Sequence, residues 1–489
     1  MMAALATTAM TLGELFGAAA GNLSGVQVDD LVLDSRQIRP GAAFLAVQGS
    51  QSHGLDYVDD ARARGAVAVV YEPSASHDEV AAPSVAMPGL KTQLGELARN
   101  FFGRQAEPLR LAGVTGTNGK STVAHLVAQA QTLHGIRCGY VGTLGSGVPP
   151  DLVSQTLTTP DCLTLHRTLR SLSVSHAAME VSSHALAQDR IAGLEFHTAV
   201  LTNLSRDHLD YHGDLDSYQD AKARLFQLPA LQYAVVFVDD PFGAVLTERL
   251  AAAVTRIDVS LERDADITGR VVTADLNGIE LEVRGPGESA VVMSSLVGDF
   301  NAENLLLALG TLIAWDVPLV EACEALSECR GLAGRMQVFG GGRNEPRVVV
   351  DYAHTPAALA RVLENLDRIG GAELWCVFGC GGQRDAGKRA AMGAAAARFA
   401  DHIVLTDDNP RNEDPGVIVA DIRAGLAAHP DVWVEHDRHR AITDAIEKAG
   451  VDDVVLVAGK GHEDSQWIAG EQRQFSDCVV VEDALGGRG

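Results

Sequence analysis

LAGVTGTNGKSTVAHLVAQAQTLHG, residues 111 to 135, decides the fold. It opens as an apolar strand, turns through Gly113, Gly116 and Gly119, and continues with Val123, Leu126, Val127, Ala130 and Leu133 at helical spacing. Strand, glycine loop, Lys-Ser and helix is the order of a phosphate-binding loop. The glycines let backbone N–H groups approach phosphate oxygens, and the helix N-terminus adds positive potential. Gly116, Thr117, Asn118, Gly119, Lys120, Ser121 and Thr122 are therefore the expected ATP contacts, with Lys120 reaching the β and γ phosphates and Ser121 ligating Mg²⁺. The stretch departs from the strict G-x-x-x-x-G-K-[ST] spacing: Val114 stands five before Gly119, and the outer glycine, Gly113, comes one residue earlier.

Outward from this loop the chain divides into three parts. Residues 1–88 hold short apolar runs such as "LVLDSR" and "AAFLAVQG" and form a small α/β domain. Residues 89–336 alternate strand-like and helix-like segments around the phosphate loop, predicting a central, mostly parallel sheet. Residues 337–489 alternate most regularly: "RVVVDYA", a helix over 356–366, "ELWCVFG", a helix over 388–400, "DHIVLT", a helix over 416–427, "VWVE", a helix and "DVVLVAGKG". That rhythm predicts a Rossmann-like α/β domain with right-handed crossovers. In such sheets ligands sit beyond the carboxyl ends of the strands.

Composition narrows the class. With 46% hydrophobic and 21% charged residues the chain is globular, and 489 residues exceed what one core holds. Lys+Arg 39 against Asp+Glu 64 gives a net charge of −25, a field that repels nucleic acid and anionic membrane. An anionic substrate then requires a local basic site. The seven cysteines include no CxxC pair, so neither a disulfide framework nor a structural zinc site is expected, and a cytoplasmic monomer is. The start, "MMAALATTAMTLGELFGAAAG", has no basic residue before Arg36 and reads as an initial helix rather than a signal peptide.

Further motifs carry chemistry. In "AAMEVSSHALAQDRI" Glu180 ends a strand-like run, placed to hold Mg²⁺. "NLSRDHLDYHGDLDSYQDAKARLF" supplies His208, expected at a strand end, and Lys222 fourteen residues later; a structural histidine and a surface lysine are the plain alternatives. "GDFNAENLLLALG" sets Asn301 and Asn304 one helical turn apart, able to face a base edge, with helix capping by Asn301 as the alternative. "TDDNPRNEDP", 406–415, packs four acids, one arginine and two prolines after an apolar run; a solvated connection is its plain reading.

"GVTGTNGKST", "DHLDYHG" and "AKARLF", in this order, resemble the Mur ligase and folylpolyglutamate synthetase superfamily of ATP-dependent amide ligases. The resemblance runs from Ser35 to the "GKGHE" near 463. It implies an enzyme of peptidoglycan precursor synthesis, and so of cell shape and division. Such an enzyme adds meso-2,6-diaminopimelate to the D-Glu carboxylate of UDP-N-acetylmuramoyl-L-Ala-D-Glu through an acyl phosphate. An L-lysine-adding ligase, a folylpolyglutamate synthetase, a P-loop kinase or NTPase switch, and a nucleotide sensor stay open beside it.

Residue by residue, the resemblance assigns Lys120, Glu180, His208 and Lys222 to catalysis. Ser121, Glu180 and His208 would hold the metal, and Lys222 would carry a carbamate derived from CO₂. A carbamate forms only on a neutral amine, hence on a desolvated lysine. Arg335 in "GLAGRMQVF" and Asp351 in "VVVDYAHTP" would complete the ATP site on domain closure. Leu33, Ser35, Val47 and Gly49 match the uridine-nucleotide segment, and Thr158, Thr159, Ser182, Gln188 and Arg190 the muramoyl-peptide contacts. Relatives often carry Asn where this chain has Leu157, so no contact is assigned there. Arg384, Asp408, Asn409, Arg411, Gly459 and Glu463 match the diaminopimelate pocket. Arg411 would pair bidentately with the carboxylate of the far zwitterion, and Glu463 would take its ammonium.

Overall fold

The computed structural model describes residues 9–49, 52–77, 80–81, 83–103, 109–369, 371–427 and 429–487. The first eight residues of the expected initial helix lie outside these. Within them a helix covers only Leu12–Phe16, capped by reciprocal hydrogen bonds between Thr11 and Glu14, before a tighter turn over Gly17–Leu23. Two compact units emerge, one reaching Asp258 and taking in Gly310–Asp316, the other holding Val259–Leu309 and the chain from Val317.

The first unit carries two parallel arrangements. Asp30–Val32, Ala42–Ala46, Ala68–Tyr71 and Ser84–Ala86 pair in that order, and Leu31, Leu45, Val70 and Val85 pack against the helix Leu90–Phe102. The larger set runs Cys138–Gly142, His176–Glu180, Arg110–Thr115, Thr198–Leu201, Tyr233–Phe237, all parallel. Every position of these strands except Arg110 and Tyr233 is buried, which suits strands covered on both faces. Glu180 pairs with Val114 and Leu201 with Thr115, so the chain leaves three neighbouring strands on one edge.

In the second unit a three-stranded antiparallel meander, Ile267–Asp275, Gly278–Gly285 and Glu288–Ser294, departs from the expected parallel pattern. Asn277-Gly278 supplies its first turn, with Gly278 at φ 141°. The helix Phe300–Ala314 follows. The last segment forms a six-stranded sheet in the order Gln337–Gly340, Arg347–Asp351, Val454–Ala458, Leu374–Phe378, His402–Leu405, Val432–Val434, antiparallel only at its first pair. Alternate residues face opposite layers: Val349, Cys376, Phe378, Ile403 and Leu456 pack with Leu363, Met392 and Ile422, whereas Val350, Val377, Val404 and Val457 pack with Ile442, Ile446 and Val481. This is the expected Rossmann-like sandwich. Its helices are Pro356–Ile369, Arg389–Phe399, Pro415–Arg423 and Arg438–Lys448, the third ending before the expected 427, and Asp477–Gly486 covers the second layer. Six of the seven cysteines are buried, and all are free thiols.

Candidate active site

At the phosphate loop Gly116 sits at φ 147° and Gly119 at φ 86°, left-handed conformations that L side chains rarely adopt. A Cβ on Gly116 would run into the Thr202 hydroxyl. The loop is tied to the segment after Thr198–Leu201: Thr117 N donates to Asn203 O (2.8 Å), Asn118 N to Asn203 Oδ1 (3.0 Å), and Thr202 Oγ1 to Asn118 O (2.6 Å). Gly119 leads directly into the helix Lys120–Leu133, whose first-turn N–H groups have no acceptor within the helix. Lys120 Nζ donates to the Gly116 and Thr117 carbonyls at 3.0 and 2.9 Å, and Ser121 is buried beside it in sequence.

Lys222, on the helix Leu215–Ala223, is 1% exposed, and its Nζ donates to the same Gly116 carbonyl at 2.7 Å. Burial pushes its ammonium well below the ordinary lysine value; nearby Lys120 adds to this and Asp207 opposes it. The Tyr218 ring lies 4.4 Å beneath Nζ, and the Tyr218 hydroxyl meets Thr117 Oγ1 at 3.2 Å. Glu180 is buried at the end of its strand. Its Oε1 accepts from the Tyr140 hydroxyl (2.6 Å) and Thr143 N (2.8 Å), and its Oε2 from Thr143 Oγ1 (3.1 Å). His208 does not stand at a strand end. It lies beyond the loop that follows Leu201, at φ 53°, heading the short helix Leu209–His212, with its ring 4.8 Å from that of His184. The described residues hold no ready-made group of three metal-ligating side chains. Glu180 and Ser121 nonetheless offer hard oxygen donors of the kind Mg²⁺ takes when phosphates complete its shell.

Thr159, Ser182, Gln188 and Arg190 form one network around the same strand end. Thr159 Oγ1 donates to Glu180 O (2.9 Å) and accepts from Ser182 N (3.1 Å). Arg190 donates to Thr159 O (2.9 Å) and, through Nε and Nη2, to Gln188 Oε1 (3.0 and 2.7 Å). Thr158 Oγ1 lies 3.0 Å from Thr143 Oγ1. Leu33 and Val47 each stand one residue beyond adjacent parallel strands, so Ser35 and Gly49 share that carboxyl edge. Ser35 is buried, whereas Arg36 is exposed and paired with Asp34.

In the second unit Asn301 is not a helix cap, because it lies inside Phe300–Ala314. Its Nδ2 donates to Val297 O and its Oδ1 accepts from Asn304 Nδ2, both at 2.7 Å, so these buried amides are largely satisfied by each other and by backbone. Asp351 accepts from Met336 N (2.8 Å) and Ala353 N (2.7 Å), and burial raises its carboxyl against the pull of Arg335. Arg335 stacks on Tyr352, 4.3 Å from the ring centre.

The three loops that follow Leu374–Phe378, His402–Leu405 and Val454–Ala458 meet at the carboxyl edge of their sheet. Asn409 Nδ2 donates to Glu463 Oε2 (3.0 Å), and a Cβ on Gly459 would fall 2.7 Å from Asp408 Oδ2. Arg411 donates to Gly382 O at 2.7 Å, and burial with Arg384 nearby lowers its guanidinium while Asp408 and Glu463 oppose that. Arg384 is exposed. Arg411 adopts φ 56° and bridges to Ile468 in the hairpin Ser465–Ile468 and Glu471–Gln474: its N donates to Trp467 O (3.0 Å) and its O accepts from Ala469 N (2.6 Å). Gln466 Nε2 donates to the Asp407 and Asp408 carbonyls at 3.1 and 2.9 Å. In the acid-rich loop 406–415, Glu413 is held by the buried Arg389 at 2.7 Å, and its carboxyl is lowered to about 2.

Sequence reasoning passed over Tyr218, Lys460, Gln466 and Arg389. Tyr218 and Lys460 stood inside quoted stretches without a role being given to them; Gln466 and Arg389 are visible through their burial and partners alone.

Three family models match in succession: the Mur ligase family catalytic domain over residues 27–102, the Mur ligase middle domain over 114–312, and the Mur ligase glutamate ligase domain over 334–461. The chain is 46% identical, over 94% of both chains, to the UDP-N-acetylmuramoyl-L-alanyl-D-glutamate–2,6-diaminopimelate ligase of Xylella fastidiosa (strain 9a5c). It is 47% identical to the protein of the same description from Ectopseudomonas mendocina (strain ymp), over 97% of this chain and 98% of that one. A solved structure of a ligase with that description superposes with a TM-score of 0.69 at 36% identity, covering 98% of this chain and 99% of the other.

Proposed function

The chain belongs to the Mur ligase family, and from that premise we propose that it joins meso-2,6-diaminopimelate to the D-Glu carboxylate of UDP-N-acetylmuramoyl-L-alanyl-D-glutamate, consuming ATP. The observation that carries this reading is the 46–47% identity, over nearly the full length, to ligases of that description. The successive family matches support a three-part division, with 1–88 for the uridine nucleotide, 89–336 for ATP and 337–489 for the incoming amino acid.

The D-Glu carboxylate oxygen attacks the γ-phosphorus, the bond to ADP breaks, and an acyl phosphate results. The amine of the second substrate then adds to the acyl carbon. The tetrahedral adduct expels phosphate, its nitrogen loses a proton, and an amide remains. The residues supply positioning and charge. Lys120 exchanges the Gly116 and Thr117 carbonyls for phosphate oxygens, while the loop N–H groups and the helix end hold the same anion. Mg²⁺, held by Ser121, Glu180 and His208, would neutralise charge on the transferred phosphoryl group. The buried Lys222, once its ammonium has given up a proton, is suited to add to CO₂: the neutral amine forms an N–C bond, one further proton leaves, and an uncharged group becomes an anion. Asn301, Asn304, Arg335 and Asp351 serve the nucleotide. The Thr159–Ser182–Gln188–Arg190 network serves the muramoyl peptide with Thr158, and Leu33, Ser35, Val47 and Gly49 serve the uridine end.

At the far end of the amino acid, Arg411 and Arg384 meet the carboxylate, and Asp408, Asn409, Gly459 and Glu463 meet the ammonium. We infer that the enzyme works in the cytoplasm as a monomer; its free thiols are what a reducing compartment keeps. Among the described residues no helix is long and apolar enough to cross a membrane. The test is phosphate release that requires both the UDP-muramoyl dipeptide and diaminopimelate. Release without the amine would point to a kinase, and release with neither to an uncoupled NTPase.

A further inference from the structure

Lys460 is completely buried, yet none of the site assignments above uses it. Its Nζ donates to Glu463 Oε2 at 3.0 Å and to Asn409 Oδ1 at 3.2 Å. The same Asn409 Oδ1 accepts from Trp467 N (2.9 Å), and Asn409 Nδ2 returns to Glu463 Oε2 (3.0 Å). One ammonium thus ties together two residues from separate loops and, through Asn409, the hairpin behind them. Moving an ammonium out of water costs several kcal/mol unless a partner compensates. Here the partners are the groups assigned to the far end of the amino acid.

We propose that Lys460 is the residue that positions Asn409 and Glu463 and excludes amino acids ending in a bare ammonium, an inference that rests on the diaminopimelate reading. Among the side chains assigned to the far end of the amino acid, with Lys460 added, Arg384, Arg411 and Lys460 stand against Asp408 and Glu463, an excess of one positive charge. Two further buried cations near this edge are already paired: Arg438 with Asp477 at 2.7 Å, and Arg389 with Glu413 and Asp421 at 2.7 and 2.9 Å. A zwitterionic terminus, with no net charge and a carboxylate for the arginines, fits that excess. The terminus of L-lysine adds a second positive charge with nothing to pair the arginines, and is repelled. Selectivity then comes as much from the cation that opposes the wrong ligand as from the fork that grips the right one. Without Lys460 the pocket is neutral, and Glu463 becomes free to pair with a bare ammonium.

The experiment compares kcat/KM for meso-diaminopimelate and L-lysine in the full-length wild type, Lys460→Met and Lys460→Gln. Met keeps the volume without charge; Gln keeps a donor to Glu463 and Asn409 and shows whether charge or hydrogen bonding matters. The wild type is expected to favour diaminopimelate by at least ~100-fold, about 3 kcal/mol at 1.4 kcal/mol per tenfold. In both variants the ratio should fall at least ~10-fold, mainly through a raised KM for diaminopimelate and a smaller loss with lysine, while the KM for ATP stays put. Equal losses with both amino acids, leaving the ratio at its wild-type value in either variant, would overturn the role of Lys460. A wild type that uses lysine as well as diaminopimelate would instead overturn the reading beneath it, and that is decided before any variant is made.

Discussion

Lys222 is the residue whose environment says most about its chemistry. An exposed lysine is protonated at neutral pH; this one loses its hydration and faces Lys120, so its proton leaves well below the ordinary pKa. The unfolded chain holds that proton more tightly than the folded chain does, so this group costs stability below the ordinary lysine value, and the cost shrinks as pH rises toward that value. The free amine is also what CO₂ requires. With ¹³C-bicarbonate, a carbamate resonance is expected in the wild type near neutral pH and not in Lys222→Ala. Lys222→Ala should lose ligation, and short carboxylic acids should restore part of it. A variant with unchanged turnover would remove the carbamate from the reaction. Lys222 was legible because its motif spacing is distinctive. Lys460 lay inside the quoted "GKGHE", yet its role was not legible, because a lysine between glycines looks solvated until the fold encloses it.

Among the elements, the helix Lys120–Leu133 carries an acid sensitivity. His125 is buried against Tyr140, ring centres 5.6 Å apart, and burial drives its imidazole down to about 4. Below the ordinary value near 6.5 the unfolded chain takes up a proton that the folded chain refuses, so stability falls as pH drops from about 6.5 to about 4 and then levels off. The loss is on the order of 3 kcal/mol for such a group. His125→Leu should flatten the slope of Tm against pH in that window, leaving the part due to His176, also lowered to about 4. An unchanged slope would count against this assignment. The hairpin 465–474 has a different role, as a buttress. Gln466→Ala removes both side-chain bonds to the 407 and 408 carbonyls and should raise the KM for diaminopimelate several-fold with that for ATP unchanged; a rise in both would mean general loosening. Helices and parallel strands were read well because their periods and caps are local signals. The antiparallel meander was missed although Asn277-Gly278 marks its turn, because the regular β-α rhythm around it imposed a parallel reading.

For the molecule as a whole, a net charge of −25 means that ATP and the UDP substrate meet a repulsive field everywhere except at local basic sites. Different segments should then hold the two nucleotides independently. Lys120→Ala is expected to depress acyl-phosphate formation by orders of magnitude while affinity for the UDP-muramoyl dipeptide, measured calorimetrically, is retained; joint collapse would dissolve that division of labour. The order of segments could be read from the sequence because the phosphate loop, Glu180 and the three loops of the last sheet each stand at the end of a strand. Which side chains meet could not, since those contacts join residues tens of positions apart. The pairing of Arg411 with Ile468 also matters to anyone wishing to re-tailor the enzyme. The stretch 406–411 is stitched by main-chain bonds to a partner more than fifty residues downstream, so the two are a single exchangeable cassette. Grafting one without the other would leave the seam open, and a working transplant of acceptor preference has to carry both pieces of cloth together.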